Sequence, residues 1–246
     1  MLRWRGALEV ANDAAHATRS APAAVRWQPR RFHLPAMQLI GMLDSPYVRR
    51  VAITLQLLGL PFEHRSVSVF RGFDAFHALN PVVKAPTLVC DDGLPLMDST
   101  LIIDYAEALA GRSLMPAEPA ARLRVLRRIG LALAACEKAV QYYYEGALRP
   151  PEKAHAPWRD RVTGQLHAAF AALEAALPDA GWSATPEGIG QDGLSTAVAW
   201  HFTQQTVPGL VSPQAHPRLV AFSAAAEAMP AFRAAAHGDG TVPVAG

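Results

Sequence analysis

The stretch MQLIGMLDSPYVRRVAITLQLLGLP, residues 37–61, decides how the rest of the chain is read. MQLIGML (37–43) is a short apolar run of the kind that forms a buried strand. Val48, Val51, Ala52, Leu55 and Leu58 then follow the i, i+3, i+4, i+7 stripe of an amphipathic helix. Between the two, Ser45 precedes Pro46, which is a common helix start: the hydroxyl satisfies an orphan N–H, and proline occupies a position where no N–H is needed. Gly59 and Pro61 supply the stop. The window therefore predicts a strand leading directly into a capped helix, with one hydroxyl at the junction.

Outward from that window the pattern continues. FEHRSVSVF (62–70) predicts a second strand, and FDAFHALNP (73–81) a polar, partly helical stretch. In APTLVCDDGLPLMDS (85–99), TLVC and LPLM are short strands and Asp92-Gly93 is the hairpin turn between them. Ser99 opens a helix in which Leu101, Ile102, Tyr105 and Leu109 are expected to face inward, closed by Gly111. The order strand, helix, strand, short helix, hairpin, helix predicts a small mixed sheet covered by helices.

From about Pro119 onward the spacing is helical throughout. Leu123, Leu126, Leu133 and Val140 mark one helix, and Val162, Leu166, Phe170, Leu173 and Leu177 a second. LSTAVAWHF (194–202) predicts a buried helix, and HPRLVAFSAAAEAMPAF (216–232) another. RSLMPAEP, with two prolines, is the linker. The expected organisation is an extension over 1–36, an α/β domain over 37–111, a linker over 112–118 and an all-helical domain over 119–240.

The 246 residues are 51% hydrophobic and 18% charged, a globular composition long enough to bury a substantial core. No run approaches the roughly 18 apolar residues of a membrane helix, so a soluble protein is expected. The net charge of +2 divides unevenly. Residues 1–36 hold six arginines against Glu9 and Asp13, leaving 17 basic and 19 acidic side chains in the remainder. That balance offers no electrostatic nucleic-acid surface. Residues 1–36 are rich in Ala and Arg without a sustained apolar period. They are read as a flexible extension or a mis-assigned start ahead of Met37, although their arginines are also compatible with a transit peptide.

Cys90 and Cys136 form no C-x-x-C pair, which argues against a zinc or dithiol centre and fits a reducing compartment. Cys90 is expected to be a buried small hydrophobe. No His spacing suggests a metal.

Three segments, taken together, resemble the cytosolic glutathione S-transferases over residues 37–236. They are SPYVRR (45–50) after the first strand, NPVVKAPTL (80–88), and MDST (97–100) at a helix start. The resemblance implies a thioredoxin-like amino-terminal domain that binds glutathione and an all-helical carboxy-terminal domain that completes the pocket for a hydrophobic electrophile. In the tau- and zeta-like classes that SPYVRR resembles, the serine donates to the glutathione sulfur, which gives Ser45 the catalytic role. A thiol of pKa about 8.5 needs only about 2.7 kcal/mol of preferential stabilisation to lose two units. The family's N-P-x-x-x-V-P segment has a cis proline, so the resemblance implies a cis bond before Pro86, main-chain contact from Ala85, and Lys84 near the glycyl carboxylate. Asp98 and Ser99, where Glu-Ser is usual, would receive the γ-glutamyl end at a helix N-terminus, a natural anion site.

The resemblance further implies a cytoplasmic homodimer with glutathione as co-substrate, no metal, and no nucleic-acid or membrane partner. With no cysteine in place of Ser45, conjugation of the detoxifying kind is favoured over mixed-disulfide chemistry. A non-catalytic scaffold, or a glutathione-dependent isomerase, dehalogenase or peroxidase, stays open. Glycines are expected to fill both positions of the capping box in GIGQDGLSTAVAW, with Asp192 as a substitute cap. Arg49 and Arg50 are expected on a solvated helix face and His77 at the surface or in packing; Arg71 is open between a solvated position and the glycyl contact that the family's loops after the second strand often make. One of Tyr142, Tyr143 and Tyr144, with Trp158 or Trp200, is a candidate for the electrophile pocket, against core packing.

Overall fold

A computed structural model describes residues 37–178 and 182–243; the extension expected over 1–36 lies outside the described residues. β1 (Gln38–Ile40) pairs in parallel with β2 (Glu63–Arg65) and antiparallel with β3 (Thr87–Val89), and β3 pairs antiparallel with β4 (Pro95–Met97). The sheet order is therefore β2-β1-β3-β4. Leu39 and Leu88 meet across β1 and β3 and are fully buried. Pro95 sits on an edge strand, where a missing donor is tolerated. All four strands occupy the predicted places, each shorter than its apolar run.

Gly41 explains why β1 ends early. It has φ +136°, and an added Cβ would lie 2.6 Å from a Val48 methyl and 3.0 Å from the Ala85 Cβ. A glycine is needed for α1 (Pro46–Leu58) and the turn before β3 to close on the strand. Its carbonyl accepts from His64 Nε2 at 2.8 Å, while His64 Nδ1 accepts from the Val242 N–H at 3.1 Å. Neutral His64 thus pins a carboxy-terminal residue to the sheet.

The helices α2 (Phe73–Leu79) and α3 (Ser99–Ala110) complete the α/β part, and Gly59 and Gly111 close α1 and α3 in the left-handed conformation. Helices α4 (Pro119–Ala147), α5 (Ala156–Ala176), α6 (Gln191–Thr206), α7 (Pro217–Glu227) and α8 (Pro230–Ala234) follow. The architecture is a thioredoxin-like sheet with helices, then a helical region. Val162, Leu166, Phe170, Leu173 and Leu177 are all buried, as their spacing predicts, and α6 is buried along most of its length.

Several expectations are corrected. α1 has no solvated arginine face: Arg49 and Arg50 are buried because α3, α6 and α8 all pack on α1. Arg49 binds both carboxylate oxygens of Glu227 at 2.7 and 2.6 Å and the Ala235 carbonyl at 2.8 Å. Leu101, Leu123 and Leu126 are exposed; α4 instead buries Val125, Ile129, Ala132 and Cys136, where alanines let neighbouring helices approach. Cys90 is half-buried, its sulfur 3.9 Å from the Tyr105 hydroxyl. Gly190 is the N-cap of α6, so glycine does occupy the box position, but Asp192 does not cap. Its carboxylate takes a 2.6 Å hydrogen bond from Arg128 Nε instead.

Candidate functional site

The sequence junction between β1 and α1 opens into a cleft of about 580 Å³, within the range of small-molecule sites. One wall comes from Asp44, Ser45 and Tyr47, from residues 67–70 after β2, and from Lys84 and Ala85 before β3. The other comes from Val140, Tyr143 and Tyr144 of α4, the end of α6, and His237.

Ser45 is half-buried at the N-cap of α1, with Pro46 following it. Its Oγ accepts from the Val48 N–H at 3.4 Å, at the long end of a hydrogen bond. Among the described residues its own O–H finds no acceptor, so the proton is free to point into the cleft. The positive end of the α1 dipole lies behind it. A hydroxyl donor on a helix N-terminus is suited to stabilising an anion, including a thiolate.

Lys84 and Ala85 share its wall, on a turn whose shape comes from side chains. Buried Asn80 donates to Thr87 Oγ1 at 2.9 Å and accepts from the Val82 N–H at 3.0 Å, and the Thr87 hydroxyl donates to the Lys84 carbonyl at 2.8 Å. The Ala85–Pro86 peptide is cis. Lys84 Nζ stands 3.6 Å from the Asp98 carboxylate, both side chains about half exposed. Asp98, at φ 73°, is the N-cap of α3 and accepts from the Thr100 N–H at 2.9 Å. Ser99 is the first residue of α3; it is buried, and its Oγ accepts from Arg50 Nη1 at 3.0 Å.

Of the six predicted site residues, Ser45, Lys84 and Ala85 share the cleft wall, and Pro86 fixes the turn beneath them. Asp98 joins them through Lys84. Ser99 is near the same end of the fold but faces Arg50 rather than the cleft lining. Arg71 is exposed, and its charge draws the Asp44 carboxyl down, against burial, which pushes it up and prevails.

The aromatic expectations divide. Tyr143 and Tyr144 both line the cleft, and Phe70 meets Tyr144 edge-on with ring centroids 5.8 Å apart, closing the gap between the two walls. Tyr142 turns to α5, where its hydroxyl accepts from Arg159 at 2.6 Å. Trp200 is buried edge-on to Phe170 at 5.2 Å, and Trp158 borders a separate groove. His77 is exposed and stacks on Phe73.

Sequence reasoning missed Tyr47 and His237. Tyr47 follows Ser45 by two residues, and burial holds its phenol protonated, so its O–H can donate. A tyrosine inside the SPY segment was the available signal. His237 reaches the cleft from beyond α8, and burial pushes its imidazole down to about 4. Nothing local marks it. No group of three or more His, Cys, Asp or Glu side chains able to hold a metal occurs among the described residues.

Residues 39–114 match the family model of the glutathione S-transferase N-terminal domain. The uncharacterized GST-like protein YibF of Escherichia coli K12 is 25% identical over 181 residues, which cover 73% of this chain and 89% of YibF. A glutathione transferase family member from Pseudomonas fluorescens Pf-5, solved with bound glutathione, superposes with TM-score 0.70 at 29% identity, covering 81% of this chain and 98% of that one. A glutathione S-transferase from Methylobacterium radiotolerans, solved with glutathione sulfonate, gives TM-score 0.74 at 25% identity, covering 86% and 96%.

Proposed function

We propose that this chain is a member of the cytosolic glutathione S-transferase family and that it is a glutathione transferase that activates the thiol of reduced glutathione for attack on a hydrophobic electrophile. The observation that carries this reading is Ser45: a helix N-cap whose O–H has no described acceptor and which lines a cleft faced by aromatic side chains. The glutathione thiol enters beside it. The helix dipole and the hydroxyl favour the thiolate over the thiol, so the displaced proton leaves to solvent while Ser45 stays un-ionised. Main-chain atoms of Ala85 hold the cysteinyl unit, Lys84 meets the glycyl carboxylate, and Asp98 and Ser99 take the γ-glutamyl end.

In this reading residues 37–111 bind glutathione, 112–118 link, and 119–240 supply the electrophile wall with Tyr143 and Tyr144. Holding both reactants in one cleft adds proximity to nucleophile activation. Supporting a homodimer are Leu123 and Leu126, apolar, exposed and one turn apart on α4, together with exposed Leu101 on α3. No described helix is long and apolar enough to cross a membrane, which is compatible with a cytoplasmic enzyme.

Conjugation of glutathione to chlorodinitrobenzene tests the reading. Ser45→Ala is expected to lower turnover by about tenfold or more, the worth of a hydrogen bond to a charged group, with the melting temperature nearly kept. Unchanged turnover would take Ser45 out of the mechanism, and no calorimetric glutathione binding at millimolar concentration would favour a scaffold.

A further inference from the structure

The cleft does not end at Tyr143 and Thr206. Both residues also line a second groove of about 600 Å³, between the end of α4, the first turn of α5 and the loop that follows α6. Ala147, Val207, Pro208 and Leu210 give this groove apolar walls. Among the described residues that line it, Arg159 is the one charged side chain.

Arg159 is held in place without being neutralised. Its Nη2 donates to the Tyr142 hydroxyl at 2.6 Å, and its guanidinium carbon lies 4.5 Å from the centroid of the same ring. An aromatic face attracts a cation and fixes its direction while leaving its charge intact. Among the described residues Arg159 makes no ion pair with a carboxylate, whereas Arg49, Arg128 and Arg149 are paired at 2.6, 2.6 and 2.9 Å. The carbonyl end of α6 borders the groove and does not serve as the partner. There the Val207 carbonyl takes the Leu210 N–H at 3.1 Å, and the Leu210 carbonyl meets His167 Nε2 at 2.7 Å. The rest of the guanidinium fork, half-buried, is left for a ligand in the planar geometry that fits a carboxylate.

Resting on the glutathione-transferase reading above, we propose that the electrophile of this protein is an elongated aromatic acid whose reacting carbon lies in the cleft beside Ser45 and whose carboxylate is bound by Arg159. Tyr143 and Thr206 form the rim that the linking chain crosses, because they belong to both basins. The chemistry is unchanged. With an aryl chloride, the thiolate sulfur bonds to the ring carbon, the carbon–chlorine bond breaks with its electron pair leaving on chloride, and the thiol proton goes to solvent. Arg159 adds binding energy away from the reacting centre, which orients the substrate there. An acid carried close to the reacting carbon does not reach the groove, so the preference depends on chain length.

The test measures conjugation of glutathione to chlorodinitrobenzoyl amides of glycine and of aminohexanoic acid, each as the free carboxylate and as its uncharged methyl amide. The reacting carbon is the same in every probe. For the wild type, kcat/KM for the long carboxylate is expected to exceed that for its methyl amide about tenfold, the worth of a charge-assisted hydrogen bond. The short glycine pair should react nearly alike. In Arg159→Met the excess for the long carboxylate should vanish, and Arg159→Lys should keep only part of it, because an ammonium lacks the fork and the ring contact. Equal kcat/KM for the long pair in the wild type overturns the Arg159 assignment, as does an excess undiminished in Arg159→Met or one equally large for the short pair. If Arg159→Met does not fold, Arg159→Gln is read in its place by the same criterion. Wild-type protein that conjugates neither these probes nor chlorodinitrobenzene sinks the glutathione-transferase reading itself; conjugation of chlorodinitrobenzene without preference for the long carboxylate sinks only the role of Arg159.

Discussion

The two walls of the cleft are built on different principles. The wall that carries Ser45 is made of turns: the Ser45 cap, Gly41, and the Asn80–Thr87–Lys84 hydrogen bonds that brace the loop before Pro86. Each acts over a few residues, and each fixes backbone atoms more than side chains. The opposite side is helix surface, where Tyr143, Tyr144 and the end of α6 project into the cleft from elements fixed by packing elsewhere. The first wall tolerates little change because tight turns and close approaches set its shape. The second can change its side chains while the helices beneath stay in place, which is a physical reason for the same scaffold to serve different electrophiles.

That contrast breaks most visibly at Gly41. In Gly41→Ala the new methyl meets Val48 at 2.6 Å and Ala85 at 3.0 Å, at φ +136°. The first turn of α1 and the loop before Pro86 must both shift. We expect a stability loss of about 2–4 kcal/mol from overpacking and backbone strain together, read by urea denaturation. Glutathione affinity should fall with it. A variant with native stability would show that the Ser45 wall is less tightly determined than its geometry implies.

The helical wall should respond differently. Tyr144 contributes an edge-on contact to Phe70, a pair worth about 0.5–1.5 kcal/mol beyond its buried area. Tyr144→Ala is therefore expected to raise the KM for an aromatic electrophile several-fold, with the glutathione dissociation constant within about twofold of wild type and the melting temperature little changed. Equal losses for both substrates would mean that the two walls are mechanically coupled through Phe70.

The same division governs how much could be read from the sequence. Ser45-Pro46, Gly59, Asp92-Gly93 and Gly111 carry local rules, and the strands and helices follow them. Ser45, Lys84 and Ala85 came within reach because three short segments occur in order. What escaped was long-range. The amphipathic stripe of α1 implies one wet face, yet that face is covered by α8, and Arg49 finds Glu227 178 positions away. Leu101, Leu123 and Leu126 fit a helical period but point outward, because a period gives spacing and not direction. Of three consecutive tyrosines, Tyr142 turns to α5 while Tyr143 and Tyr144 line the cleft, for the same reason. His237 depends on where the chain returns after α8, which no local pattern encodes.

His237 also gives the smallest and most specific expectation, because it reaches the cleft from the carboxy-terminal segment. Burial pushes it down to about 4; the charges of His201 and Arg49 act in the same direction and Glu227 opposes them. An unfolded histidine titrates near 6.5. Between those two values the unfolded chain binds more protons at this position than the folded one, so stability rises with pH across that window. The contribution is complete above about pH 6.5 and is lost as the pH falls toward about 4. Buried His64 and half-buried His201 are shifted the same way and add to the slope. Melting temperatures measured from pH 7 to pH 4.5 should therefore decline more gently in His237→Asn than in wild type, because one of three depressed imidazoles is gone. Identical slopes would mean that the cleft end of the carboxy-terminal segment opens to water in solution, leaving His237 to titrate as it does in the unfolded chain.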